Sequence, residues 1–312
     1  MNKISKNKKL ILLIILVLTL ATGCATTLTD KKKQAVKNDN TGQVLTKNIL
    51  CQPTDKASIK KYKENKVNIE KLPKCEDFKI SSGKYESIWS TVFVKPLSFI
   101  ILKIGLLTKN YAIAIIVVLL LIRLITFPFT RKATKQSKLM QQLQPEMQKI
   151  QAKYAGKKDE ESMSKQSQEM MMLYKKYNIN PISGCLVSFL QLPIFIAFYE
   201  AVQRVPAIFE DKFLSIQLGT TPLVGFTQSN LYVYIILMLI IAGSTFYSFK
   251  VGMGDNQGNG SMKSMPIFMT ILIVVTALFM PSALCIYWIF NNIFTIIQTK
   301  IVKTDTKVKG RK

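Results

Sequence analysis

The chain has 312 residues, 48% of them apolar, a mean hydropathy of +0.20, and 43 Lys+Arg against 18 Asp+Glu for a formal charge of +25. Histidine is absent, which excludes imidazole acid–base catalysis, His-based nucleophile triads and imidazole metal ligation. There is no zinc-like Cys spacing, Walker loop or Gly-rich dinucleotide fingerprint, and the apolar residues are gathered into blocks, so the chain reads as a membrane protein without enzyme chemistry, metal or cofactor.

Lys3, Lys6, Lys8 and Lys9 precede an apolar stretch, Leu10 to Leu20, and then the small residues Ala21, Thr22 and Gly23 before Cys24. That is the layout of a signal peptide over residues 1–23, with an apolar core too short to span comfortably. Ala21-Thr22-Gly23-Cys24 resembles the lipobox of bacterial lipoproteins, in which the cysteine is acylated, carrying a palmitate-type chain, and becomes the mature N-terminus. Ala21 stands where Leu is usual, and a plain secretory signal or an uncleaved anchor fits the same residues.

Residues 24–85 are polar and Lys-rich with few aromatics, a composition expected of an exported tether or a small, loosely folded segment. Cys51 and Cys75 lie in it, where oxidation is available, so a disulfide between them is expected, with free thiols in a reducing habitat as the alternative. From Glu86 to Leu107, Trp89, Phe93, Leu97, Ile100, Ile101 and Ile104 recur at helical spacing. This predicts an amphipathic helix along the outer interface, though a cap packed over the bundle fits equally.

Five apolar segments follow, at about 111–129, 184–203, 231–249, 266–280 and 282–301, so the predicted fold is all-α with five transmembrane helices. The insertion of Pro281 between the last two predicts a tight hairpin. Thr130 to Ser183 holds eleven Lys/Arg and the chain from Lys300 onward six more, whereas the loop between the second and third spans has only Arg204 and Lys212. By the positive-inside rule, segment 130–183 and the tail 304–312 are cytoplasmic and the mature N-terminus is outside. Much of the charge is thereby topological, and no sequence-specific nucleic-acid binding is needed to explain it.

Within 130–183, Lys132 to Tyr154 and Asp159 to Tyr177 read as two helices of a cytoplasmic hairpin, with Asp159 as a cap for the second. Met163, Met170, Met171 and Met172 enrich the second in a side chain suited to varied apolar partners, although packing of the two helices explains such a stripe more simply.

Arg123 stands alone in the first span, at an insertion cost of at least about 2.5 to 3.5 kcal/mol. It lies roughly 9 Å from the cytoplasmic end at Phe129, and its side chain tilts toward the helix N-terminus and so away from that interface, which weakens snorkelling. Glu200, the one acidic residue in the five spans, lies roughly 24 Å from the inner end of its own span and is better placed near Arg204. A wet enclosure is the remaining expectation, with Ser188 and Gln191 in span two, Ser244, Thr245 and Ser248 in span three, and Trp288, Asn291, Asn292, Thr295 and Gln298 along span five. Polar interhelical bonds alone would also account for the Asn and Gln residues.

Ile122-Arg123-Leu124-Ile125-Thr126-Phe127-Pro128-Phe129, Gln191-Leu192-Pro193-Ile194-Phe195 and Tyr287-Trp288-Ile289-Phe290-Asn291-Asn292 with Gln298 together resemble the YidC/Oxa family of membrane protein insertases, in its Gram-positive lipoprotein form. The resemblance runs from about Trp89 to Lys303 and makes residues 86–303 the five-span core. It implies a bacterial cell-membrane protein that inserts and helps fold nascent membrane proteins, alone or with the Sec translocon. In that picture Arg123, Gln191, Trp288, Asn291, Asn292 and Gln298 line a cytoplasm-facing substrate groove in contact with lipid, and Arg123 attracts acidic segments. Some relatives carry a long basic tail that contacts the ribosome; here the tail is short, though basic. A small anion transporter or channel is the competing expectation.

Overall fold

The computed structural model describes residues 25–157, 159–180, 182–227, 231–253 and 264–302. The expected signal peptide, Cys24 and the tail 304–312 lie outside the described residues. The fold is mostly helical, and the chain divides into two compact units, whose described residues fall within 25–119, 192–238 and 276–288 in the first and within 120–191, 239–275 and 289–302 in the second.

The first unit corrects the expectation of a loose tether. Three short extended stretches are joined by the antiparallel bridges Thr27–Thr46, Thr29–Ala35 and Lys37–Val44, and their alternation turns Leu28, Val36 and Leu45 inward. Helix α1 (Lys56–Glu64), capped by the Asp55 carboxylate accepting from Ser58 N, adds Tyr62. These residues share one core with Ile49, Ile69 and Phe209. Composition misled because the segment does not build that core alone: Phe209 arrives from a loop far along the chain. Cys51 and Cys75 are joined by a disulfide bond.

A π-helical turn (Ser90–Val94) runs into α2 (Lys95–Thr108). Lys109, in the left-handed conformation, ends it, and Gly105 lets the Tyr111 ring pack against the backbone: a Cβ there would meet the ring at 2.3 Å. Helix α3 (Tyr111–Gln142) does not stop at Phe129 as expected. Its 32 residues make about 48 Å at helical rise, well beyond a hydrocarbon core of about 30 Å. Pro128 lies inside it, where the hydroxyls of Thr126 and Thr130 bond back to Ile122 O and Thr126 O. The break comes instead at Leu143, because Pro145 has no N–H to donate back to Gln141 O and so cannot extend the ladder, while it is well tolerated in the first turn of the next helix. The predicted single helix 132–154 is thus the end of α3 plus a separate α4 (Gln144–Lys153). Helix α5 (Glu160–Lys176) begins with Asp159 accepting from Ser162 N and returns along α4, where Glu169 takes hydrogen bonds from Lys153 Nζ at 2.5 Å and Tyr154 OH at 2.9 Å.

Beyond these come α6 (Ile182–Arg204), the turn α7 (Pro206–Phe209), the two-residue antiparallel strands β1 (Lys212–Phe213) and β2 (Ile216–Gln217), and the turn α8 (Pro222–Gly225). Then follow α9 (Leu231–Met253), α10 (Met265–Leu278) and α11 (Ser282–Ile301). Among the described residues, Ser90–Thr108, Tyr111–Gln142 and Leu231–Gly252 are long and apolar enough to cross a membrane, and Met265–Leu278 is a shorter apolar helix.

Candidate functional site

Arg123 is the centre of the second unit's polar chemistry. It is 7% exposed although it sits on an otherwise apolar turn of α3. Its Nε donates to the Asn291 side-chain carbonyl at 3.0 Å, Nη2 donates to the same oxygen, and the Phe294 ring lies 5.7 Å from its guanidinium carbon. Hydrogen bonds to a charged group are worth about 1.5–3 kcal/mol net, and a ring facing a cation about 0.5–2, which together offset the desolvation of the guanidinium in part. Asn291 and Phe294 are three residues apart on α11 and therefore share a face.

The adjacent Asn292 points elsewhere. Its Nδ2 donates to Thr245 Oγ1 at 2.9 Å and Ser244 Oγ at 3.3 Å, tying α11 to α9. Further along, the Gln298 amide donates to Thr134 Oγ1 at 3.0 Å and Lys138 Nζ to Val302 O at 2.7 Å, so the polar end of α11 is fastened to the extension of α3. Thr295 bonds back to Asn291 O on its own helix. Of the predicted enclosure, then, Asn291 meets Arg123 directly, while Asn292 and Gln298 bind neighbouring helices. Gln191 belongs to the same unit and is half-buried. Trp288 falls in the first unit, edge-on to Phe195 at 5.5 Å.

Sequence reasoning missed Phe294, Thr134 and Lys138. Phe294 could have been found as the i+3 neighbour of Asn291 on the polar stripe. Thr134 and Lys138 could not while α3 was expected to end at Phe129.

A second buried arginine is handled differently. Arg204, with no exposure, donates from Nη2 to Glu86 Oε1 at 2.8 Å, from Nε to Asn48 O at 2.8 Å and from Nη1 to Ser90 Oγ at 3.2 Å, and its Nη1 lies 3.6 Å from Glu200 Oε2. Trp89 Nε1 donates to Glu200 Oε1 at 2.7 Å. Glu200 is thus committed inside the first unit, beside Arg204 as its spacing predicted, while the role of Glu86 was not foreseen.

Against known proteins, the model of the family described as 60Kd inner membrane protein matches residues 103–309. Relatives include Membrane protein insertase YidC 2 of Listeria innocua, 40% identical over 223 residues that make up 71% of this chain and 74% of the relative. Membrane protein insertase YidC of Oceanobacillus iheyensis is 37% identical over 226 residues, 72% of this chain and 87% of that protein. Membrane protein insertase MisCA of Bacillus subtilis is 40% identical over 217 residues, 69% and 79%. Among solved structures, the crystal structure of an active YidC insertase with its first transmembrane domain resolved superposes with a TM-score of 0.54 at 24% identity, over 78% of this chain and about half (52%) of that one, a likeness of fold.

Proposed function

The chain belongs to the 60 kDa inner membrane protein family, the YidC/Oxa insertases, and from that premise we propose that it is a membrane protein insertase whose Arg123 draws acidic segments of nascent membrane proteins into a polar groove open to the cytoplasm. The carrying observation is Arg123 itself: a 7% exposed guanidinium in an apolar helix, held by an amide and an aromatic ring. Asn291 and Phe294 are themselves neutral, so these two contacts steady the cation without adding an opposite charge. The work done is physical, with no covalent step. A short polar segment is held at the groove while its apolar neighbour partitions into lipid, driven by about 25 cal/mol per Å² of apolar surface buried, and the membrane potential assists acidic segments crossing outward. Gln191, Asn291, Asn292 and Gln298, of the same unit, complete the polar lining in this reading.

Five spans with the mature N-terminus outside are supported by a parity argument within the first unit. Segment 25–84 packs on loop 204–220: Phe209 is in its core, Leu50 N bonds Arg204 O, and Thr220 Oγ1 donates to Thr41 O. The two therefore lie on one side of the membrane, which requires an even number of crossings between them. Helices α3 and α6 supply two; if the Ser90–Thr108 helix crossed as well there would be three, so it lies along the outer surface. The same loop receives Ser282 N and Oγ at Thr220 O, which supports a start of α11 on the outer side after two crossings by α9 and α10. The basic segment 130–183 and the tail are then cytoplasmic, and Cys24, acylated, anchors the exported end. The insertase works alone or with the Sec translocon, and its short basic tail suits transient contact with the ribosome.

The test is depletion of the protein and complementation with Arg123→Ala, scoring insertion of a small single-span substrate with an acidic exported tail. Loss of insertion supports the reading; full complementation across acidic substrates overturns it, and solute flux through liposomes carrying the purified protein would replace it with an anion pathway.

A further inference from the structure

Resting on the recruitment reading of Arg123, we propose that Asn291 is its positioning residue, an acceptor that fixes the direction of the guanidinium and itself adds no formal charge. Nε and Nη2 form the side-on edge of the guanidinium, and both reach the Asn291 side-chain oxygen, at 3.0 Å from Nε. A carboxylate would grip the same edge in the same geometry but would form an ion pair with a guanidinium that is only 7% exposed. An amide carbonyl provides the grip with no formal charge.

The surroundings fit a device for aim. The Phe294 ring, one turn along α11, faces the guanidinium carbon at 5.7 Å and limits its swing. The next residue, Asn292, is about 100° round the helix and uses its amide to hold Thr245 and Ser244. The helix that carries the acceptor is thereby fixed to α9, and at its far end Gln298 fixes it to Thr134 of α3, the helix that carries the cation. Two adjacent asparagines thus have separate tasks, one holding the helix and one holding the charge.

The experiment uses the full-length protein in a depletion strain, with Arg123→Ala, Asn291→Asp and Asn291→Leu, and two single-span substrates that differ only in an acidic tail or the same tail neutralised to Asn and Gln. Asn291→Asp puts a carboxylate where the carbonyl was, so insertion of the acidic tail falls about tenfold, toward the Arg123→Ala level, while the neutral tail changes by less than about twofold. Asn291→Leu keeps the charge and loses the aim, and lowers acidic-tail insertion less, by about threefold. Membrane abundance of each variant is measured by immunoblot, and where Asn291→Asp fails to accumulate, the ratio between the two substrates in Asn291→Leu decides. If Arg123→Ala separates the two substrates but neither Asn291 variant does, or if both tails fall equally, Asn291 is only a packing residue and the proposal is overturned. If Arg123→Ala itself does not separate them, the recruitment reading fails and the proposal with it.

Discussion

Arg204 and Arg123 are both buried on helices of one chain, and their surroundings differ in kind. Arg204, fully enclosed, has Glu86 and Glu200 beside it, a backbone carbonyl and a serine hydroxyl. Arg123, nearly as enclosed, is held by an amide and a phenyl ring. The first arrangement sets two carboxylates against the charge within the fold of the first unit; in the second, the amide and the ring that hold the guanidinium carry no formal charge. The two sites thus differ in the sign of these neighbours, which exposure alone does not reveal.

The comparison breaks most readily at Arg204. Replacing it with Ala leaves Glu86 and Glu200 without their cation and costs about 3–5 kcal/mol, read as a lower thermal midpoint of the purified protein and protease sensitivity of segment 25–84; an unchanged midpoint would show that the network is ornamental. Next, Cys51→Ser with Cys75→Ser removes about 2–4 kcal/mol from the same segment, and the preference for acidic over neutral substrate tails stays as it was. For Arg123→Ala the expected pattern is reversed: insertion of an acidic-tailed substrate falls about tenfold, or 1.4 kcal/mol, while the thermal midpoint holds or rises, because an expensive cation has been removed from an apolar helix. Arg123→Lys retains more insertion than Ala if charge matters more than guanidinium geometry, and the gap between Lys and Arg then reads the worth of the planar fork. A smaller effect, about 1 kcal/mol on α5, is expected for Asp159→Ala through loss of the cap to Ser162, seen as faster amide exchange over 160–165 with both arginines undisturbed.

The smallest effect is a pH dependence of the first unit. Burial pushes the Glu210 carboxyl above its ordinary 4.5, outweighing the hydrogen bonds it accepts from Thr54 and Asp55. The fold therefore favours the protonated form, and that contribution is complete below pH 4.5 and is lost as pH rises through the elevated folded value. Glu210→Gln should flatten the change in thermal midpoint over that window; an equal slope in both proteins would assign the dependence to another group.

Much of this was legible in the chain. Arg123 is conspicuous because one cation in an apolar run has few ways to be tolerated, and the Trp288–Gln298 stripe is visible because its residues recur at helical spacing. Asp159 reads as a cap from its place before a helical run. The outer segment was not legible, because its hydrophobic core is assembled from Leu28, Val36, Leu45 and Tyr62 with Phe209, which is 147 positions beyond Tyr62. No local window contains both. The length of α3 was obscured for a related reason: Pro128 looks like a terminator, yet back-bonding threonines flank it, while the stop lies at Pro145. Glu86 gave no signal as the partner of Arg204, since 118 residues separate the two.

The shared core of segment 25–84 and loop 204–220 also sets a timetable for the protein's own birth. Residues 25–84 emerge from the ribosome early, yet Phe209, the carbonyl of Arg204 that receives Leu50, and the Glu210 carboxylate that receives Thr54 are synthesised more than a hundred residues later. Until that loop has been made and has arrived beside it, the earlier segment is a lysine-rich chain whose interior lacks the Phe209 side chain. The closing of its core therefore waits on the synthesis of the whole stretch between them, α3 and α6 included.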